Sequence, residues 1–428
     1  MSKSTEILKE TVNNLKISNA DVIRNRRDEI TKKLNSKFRD VDSHSQYRLM
    51  VESWGRHTAI DGISDLDMIY ILPPELKSVL HSKHGTQKTL SLAKEAIIER
   101  YPETTVRIDR LVVVVDFKDF KFEIQPCFEE QDNSFLYPDT YSDTWKKTDP
   151  RKEIYEMCDL DTKTDGNARV LCRLMRAWKR KHEIQMNGLL LDTLVWRYFS
   201  GIDSYKNSGF ALECMIRDFF DYLSQQPNQD YWCALGSNQK VYSKHPFQRQ
   251  AKEAADLTRK AIAAEDTIGL SDKWKQIFGR FVKPQNTNNN SAKTTYNDTE
   301  EFIENRFDID IKNDLYIECI VTQDGFRPQN LSRMIRDHIL LRPNKKLEFS
   351  IITNAQKPYT LLWKVLNRGH EAVKRNMVRG QIFEDSNSKD KHTELTEFAG
   401  EHYVECYLIK NNVAVSYTHL TLPTILLV

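Results

Sequence analysis

Asp65 and Asp67 stand two apart in an otherwise apolar run, Ser64-Asp65-Leu66-Asp67-Met68-Ile69-Tyr70-Ile71-Leu72, which reads as a strand. Alternate residues of a strand point to the same side, so the two carboxylates project side by side from one face. Like charges that close repel, and Asp is disfavoured in strands. Such a pair needs a compensating cation, most simply a divalent metal held by oxygen ligands, unless one Asp merely caps the strand and the other reaches water.

Two neighbouring segments favour the cation. Upstream, Glu52-Ser53-Trp54-Gly55-Arg56-His57-Thr58-Ala59-Ile60 is a polar turn after an amphipathic helix, where a hydroxyl and loop amides could hold a phosphate; Ser53 precedes Asp65 by twelve positions. Downstream, residues 110–117 and 120–126 read as a hairpin around Lys118-Asp119. Alternation puts Phe120, Phe122 and Ile124 on one face and Lys121, Glu123 and Gln125 on the other, so Glu123 can complete a three-carboxylate cluster.

Serine, a dozen residues, Asp-x-Asp and a third acid on a later strand: this order resembles the polymerase-beta-like nucleotidyltransferases. Within them the chain is most similar to the CD-NTases, bacterial relatives of cyclic GMP-AMP synthase and oligoadenylate synthase. The likeness is carried by residues 53–60 (Ser-Trp-Gly-Arg-His-Thr-Ala-Ile), 64–67 and 122–126 (Phe-Glu-Ile-Gln-Pro). One departure is that the family's Gly before the Ser is Glu52 here.

The resemblance implies a magnesium-dependent enzyme, with two Mg2+ ions (or Mn2+) on Asp65, Asp67 and Glu123, and nucleotide contacts from Ser53, Arg56 and Thr58. It also implies that nucleoside triphosphates, ATP foremost, are joined into a cyclic di- or trinucleotide second messenger of anti-phage defence, read by a downstream effector. Other readings stand beside it: a linear oligonucleotide synthase of oligoadenylate-synthase type, a catalytically silent nucleotide or RNA sensor, and transfer of a nucleotide onto tRNA or protein.

At 428 residues the chain exceeds one ordinary core. Its 63 Lys and Arg nearly cancel 61 Asp and Glu, which argues against a dedicated duplex binder. The seven cysteines are scattered without zinc spacing and read as reduced thiols. With neither a secretory signal nor a twenty-residue apolar span, a soluble cytoplasmic protein is expected, away from membranes.

The expected fold class is α+β: a polymerase-beta-like mixed sheet with helices over 1–160, a helical lobe closing the cleft over 161–282, a linker over 283–310, and an antiparallel, sandwich-like domain over 311–414. Helix-spaced apolar residues over 4–40 predict helices packed behind the sheet. A further helix is expected over 86–100, and the lobe's over 168–181, 189–199, 215–224 and 247–264. In the first lobe helix, Arg169, Arg173, Arg176 and Arg180 line one face, ordinarily a solvated basic stripe. Arg176 lies two residues before Trp178, where relatives carry a cation that contacts nucleotide phosphates. The Ser-Tyr pair with which relatives open the next helix is Gly188-Leu189 here. Trp145 and Tyr70 read as packing aromatics, and Gly236-Ser237 as a turn.

Residues 283–300 are polar and rich in Asn and Thr, as a linker is. Beyond them, strands are expected over 315–322, 346–353, 360–367, 381–384 and 403–410. Residues 361–369, 378–382 and 400–406 resemble the C-terminal sensor domain (AGS-C) of some of these synthases, implying an activating ligand there. Residues 415–428 look like a translated transposon adapter from sequencing libraries, so the fold is expected to stop at Ala414 without its closing strand.

Overall fold

The computed structural model describes residues 2–205, 211–243, 245–265, 267, 269–284, 300–322, 325, 327–337, 339, 341, 344–375, 377–384, 390–398 and 400–422. It divides into two compact units, Met1–Asn289 and Asn290–Val428.

The first unit opens with helices α1 (Lys3–Asn14) and α2 (Ala20–Arg39). Ser2 caps α1 by accepting the Thr5 amide, which satisfies one free N–H of the first turn. A seven-stranded sheet follows: β1 (Arg48–Met50), β2 (Asp65–Ile71), β3 (Thr105–Asp109), β4 (Val112–Asp116), β5 (Lys121–Glu129), β6 (Phe135–Asp139) and β7 (Thr144–Thr148). Its order is β1-β2-β5-β4-β3, with β6 on β5 and β7 on β6, and only β2 and β5 pair in parallel. Short helices α3 (Glu52–Gly55) and α4 (Lys77–Leu80) and the longer α5 (Gly85–Arg100) lie between these strands in sequence.

Alternation along β2 and β5 divides the sheet. Leu66, Met68, Tyr70, Phe122 and Ile124 pack with Ile23, Ile30 and Leu34 of α2 and Leu90, Ala93 and Ile97 of α5. Asp65, Asp67, Lys121 and Glu123 therefore take the opposite face. Six helices follow: α6 (Pro150–Lys163), α7 (Asn167–Lys181), α8 (Gly188–Ser200), α9 (Leu212–Ser224), α10 (Gln248–Ala263) and α11 (Leu270–Phe278), with a small hairpin of β8 (Tyr231–Cys233) and β9 (Lys240–Tyr242). Asn187 caps α8, its side chain accepting the Leu189 amide at 2.7 Å.

One expectation changes, and two helices are added. Of the two N-terminal helices only α2 packs behind the sheet; α1 sends Ile7 and Leu8 into the helical core. Helices α6 and α11 had no counterpart in the sequence reading. The helices otherwise fall within a few residues of the expected spans.

The second unit is a sandwich. One sheet runs β10 (Asp308–Ile309), β18 (Val413–Leu422), β17 (Glu401–Lys410), β14 (Thr360–Arg368), β15 (Arg379–Phe383); the other runs β12 (Gln329–Asn330), β11 (Leu315–Thr322), β13 (Lys346–Thr353), β16 (Lys391–Leu395). Short helices α12 (Leu331–Arg336) and α13 (His370–Lys374) accompany them. Cys319, Leu347 and Phe349 from one sheet meet Trp363, Val365, Val404 and Leu408 from the other. All pairings are antiparallel except β10 with β18.

The expected stop at Ala414 is not met. Residues 413–422 pair along β17, because β-branched and aromatic residues here sustain a strand that buries Val413, Ala414 and Leu422. Residues 285–299 of the expected linker and 423–428 of the tail lie outside the described residues. Among the described residues no helix is long and apolar enough to cross a membrane.

Candidate active site

Parallel pairing of β2 with β5 sets Asp65 opposite Lys121 and Asp67 opposite Glu123. This register brings together the three acids singled out in the sequence. They line an open cleft of about 750 Å³ with Glu52, Ser53, Arg56, Arg176, Lys179 and Arg180.

The electrostatics are those of a site short of positive charge. Burial, then the Glu52, Glu123 and Asp65 carboxylates, push the Asp67 carboxyl up to about 7. The Lys121 ammonium lies 2.7 Å from Glu123 Oε1 and 3.4 Å from Asp65 Oδ1. Among the described residues, no three His, Cys, Asp or Glu side chains are grouped so as to hold a metal ion as they stand. The donor set still fits a hard divalent cation: carboxylate oxygens alone, crowded enough to hold one of them partly protonated.

Ser53 lies in α3 and lines the cleft. A Cβ at Gly55 would overlap the Met50 carbonyl, so the turn after Ser53 admits no larger residue there. Arg56 and Thr58 sit deeper than expected of nucleotide contacts. Arg56 is buried, donating from Nε to Asp192 Oδ2 (2.9 Å) and from its terminal nitrogens to Glu153 and Glu52 (3.2 Å each). Thr58 is fully buried, and its hydroxyl donates to Asp192 at 3.0 Å.

Asp192 is the hub. It also takes two bonds from Arg176, whose second terminal nitrogen reaches Oδ2 at 2.9 Å. Burial opposes its charge, but Arg176 and Arg56 hold its carboxyl down at about 2. Arg176 therefore reaches the cleft wall with its guanidinium already engaged.

The arginine stripe of α7 is not a solvated face. Arg169 Nε donates to the Arg56 carbonyl (3.1 Å), Arg173 to that of His57 (3.1 and 2.9 Å), and Arg180 to those of Asp61 and Gly62 (2.6 and 3.2 Å). Arginine's rigid fork suits such carbonyl contacts, and the row clamps the loop between α3 and β2.

Lys179 is the cation that nothing in the sequence singled out, though it is three residues from Arg176 on the same face. It lines the cleft and, among the described residues, has no carboxylate partner. Burial, with Arg176 and Arg180 nearby, lowers its pKa. Gly188 lines the cleft and Leu189 is buried, so the start of α8 offers the cleft neither a hydroxyl nor an aromatic ring. Tyr70 and Trp145 pack in the sheet core, and Ser237 donates to Glu153 at 2.8 Å from the β8–β9 turn.

Residues 1–160 match the Second Messenger Oligonucleotide or Dinucleotide Synthetase domain, and residues 297–424 the Adenylyl/Guanylyl and SMODS C-terminal sensor domain. A probable cyclic nucleotide synthase of Bacillus cereus (strain VD146) is 28% identical over 200 residues, covering 43% of this chain; the match spans 59% of that relative's length. The CdnC of E. coli MS115-1, solved in a CdnC:HORMA-deltaN complex, shares the fold at 15% identity with a TM-score of 0.51, over 66% of this chain and 98% of that one.

Proposed function

Because the chain belongs to the CD-NTase family, with a synthetase domain ahead of a sensor domain, we propose that it is a nucleotidyltransferase joining nucleoside triphosphates into a cyclic di- or trinucleotide. The observation that carries this reading is the in-register block of Asp65, Asp67 and Glu123, facing an open cleft that also holds the uncompensated Lys179. Asp65, Asp67 and Glu123 would hold Mg2+, which when bound neutralises triphosphate charge and activates the attacking hydroxyl.

The protein's own groups do the rest. Lys179 and Arg180 draw the anionic phosphate tail to the helical side of the cleft, and Ser53 meets it from α3. A ribose hydroxyl of one nucleotide forms the new bond to the α-phosphorus of another. Its proton passes to the carboxylate cluster, the bond to the β-phosphate oxygen breaks, and pyrophosphate leaves with the electron pair. Positioning and charge stabilisation supply the acceleration, with no covalent enzyme intermediate. A role in anti-phage defence, with an effector reading the product and a ligand switching synthesis on through the C-terminal unit, belongs to the same proposal. A cavity of about 350 Å³ lined by Val365, Asn367, Arg379, Glu394 and His402 would have room for such a ligand.

Labelled triphosphates incubated with the full chain and Mg2+ test it. The reading expects a phosphatase-resistant product that an Asp65→Asn, Asp67→Asn variant does not make. A phosphatase-sensitive chain would make the enzyme a linear synthase, and intact triphosphate under every activator tried would refute synthesis.

A further inference from the structure

The facing residues of β2 and β5 make a two-by-two block, in which three corners are acids and the fourth is Lys121. A lysine one-third exposed is free to extend into water, yet this one lies along the strand face with two carboxylates on its ammonium. Arg56, another cation lining the cleft, is shared with Asp192 and Glu153 at its far side.

We propose that Lys121 is the built-in counter-cation of this site: it holds the acidic block together while the cleft is empty, and it must give up Asp65 and Glu123 before a divalent metal can be held there. The proposal rests on the metal-binding reading of Asp65, Asp67 and Glu123. A tethered ammonium competes at high effective concentration, so metal alone binds weakly. Metal arriving with a triphosphate binds better, because the phosphates offer the displaced ammonium a new anion. Lys121 thereby couples metal loading to nucleotide loading, and keeps free Mg2+ from filling the cleft unproductively.

Mn2+ binding to the full chain, read by electron paramagnetic resonance without nucleotide, tests the proposal. Lys121→Met is expected to bind Mn2+ about tenfold tighter than the unaltered protein, through loss of one like charge beside a divalent ion. Lys121→Gln, which keeps a polar tip, repeats the measurement in case the Met variant folds poorly. In EDTA, Lys121→Met should melt below the unaltered protein and recover more on addition of Mg2+. Equal Mn2+ affinity in the unaltered protein and both variants would overturn the role of Lys121 and leave the metal site standing. Absence of Mn2+ binding by every form, with or without ATP, would overturn the metal site and Lys121 with it.

Discussion

Replacing Asp192 with Asn removes one charge from a fully buried network and leaves its shape almost unchanged. The carboxylate takes hydrogen bonds from Arg56, Arg176 and Thr58. An Asn amide presents an N–H to guanidinium groups that are themselves donors, and leaves two buried cations with fewer anions. Breaking a buried ion pair from one side costs about 3–5 kcal/mol. The depressed carboxyl, at about 2 against an ordinary 3.8, has the same sign and is on the order of 2 kcal/mol in favour of the charged form in the fold. For a unit of this size such a loss lowers Tm by about 5–8 °C. Calorimetry of Asp192→Asn measures it. Arg176→Met added to the same chain should return part of the loss, because it removes one stranded cation. The pH dependence has a definite sign: a carboxyl lowered by folding stabilises fully above its unfolded pKa, and that contribution disappears as pH falls from about 4 through about 2. A Tm within about 2 °C of the unaltered protein, or an unchanged acid transition, would refute the view that Asp192 works through its charge.

Asp67 has the opposite sign. Its carboxyl is raised to about 7, so its protonated form is favoured in the fold, and stability in EDTA should fall as pH rises from about 4 through 7; urea titrations across that range should find the slope flattened in Asp67→Asn. Lys179→Ala should raise KM for triphosphate about tenfold with Tm unchanged, as loss of one charged phosphate contact predicts; an unchanged KM would remove Lys179 from that role. Stopping the chain at Ala414 deletes the outer part of β18 and uncovers the apolar surface beneath Leu422 and Leu420. At about 1.5–3 kcal/mol per fully buried side chain, the C-terminal unit should become readily cut by protease while residues 1–284 resist.

The acidic strand and the hairpin bearing Glu123 were legible because alternation fixes which side chains share a face. That Asp67 lies opposite Glu123 follows from the parallel register of β2 on β5, a pairing across more than fifty residues that local pattern does not specify. The arginine stripe of α7 was visible as a stripe. Three of its arginines, Arg169, Arg173 and Arg180, reach carbonyls of residues 56, 57, 61 and 62, and backbone acceptors leave no mark in a sequence. Asp192 was hidden for a similar reason: an acid in the apolar run Leu189-Leu190-Leu191-Asp192 shows that something must pay its charge, without naming Arg56 and Arg176. In the second unit, β14 and β17 were found by their apolar content, whereas β10 and β12, of two residues each, are defined only by their partners.

Glu52 shows what these arginines accomplish together. Its φ of +54° is a left-handed conformation, the kind glycine adopts without strain. A residue with a Cβ keeps that conformation only at a cost of about 1–2 kcal/mol, so something outside the turn must hold it. Arg56 binds the Glu52 carboxylate and is itself fixed by Asp192 and Glu153. Arg169, Arg173 and Arg180 pin the carbonyls of the loop that follows. In this chain the shape of the loop is therefore imposed by the helical side of the unit rather than by a permissive backbone. The same contacts turn the Glu52 charge toward Arg56, and the cation they leave uncommitted on the helical wall, Lys179, faces the carboxylate block across the cleft.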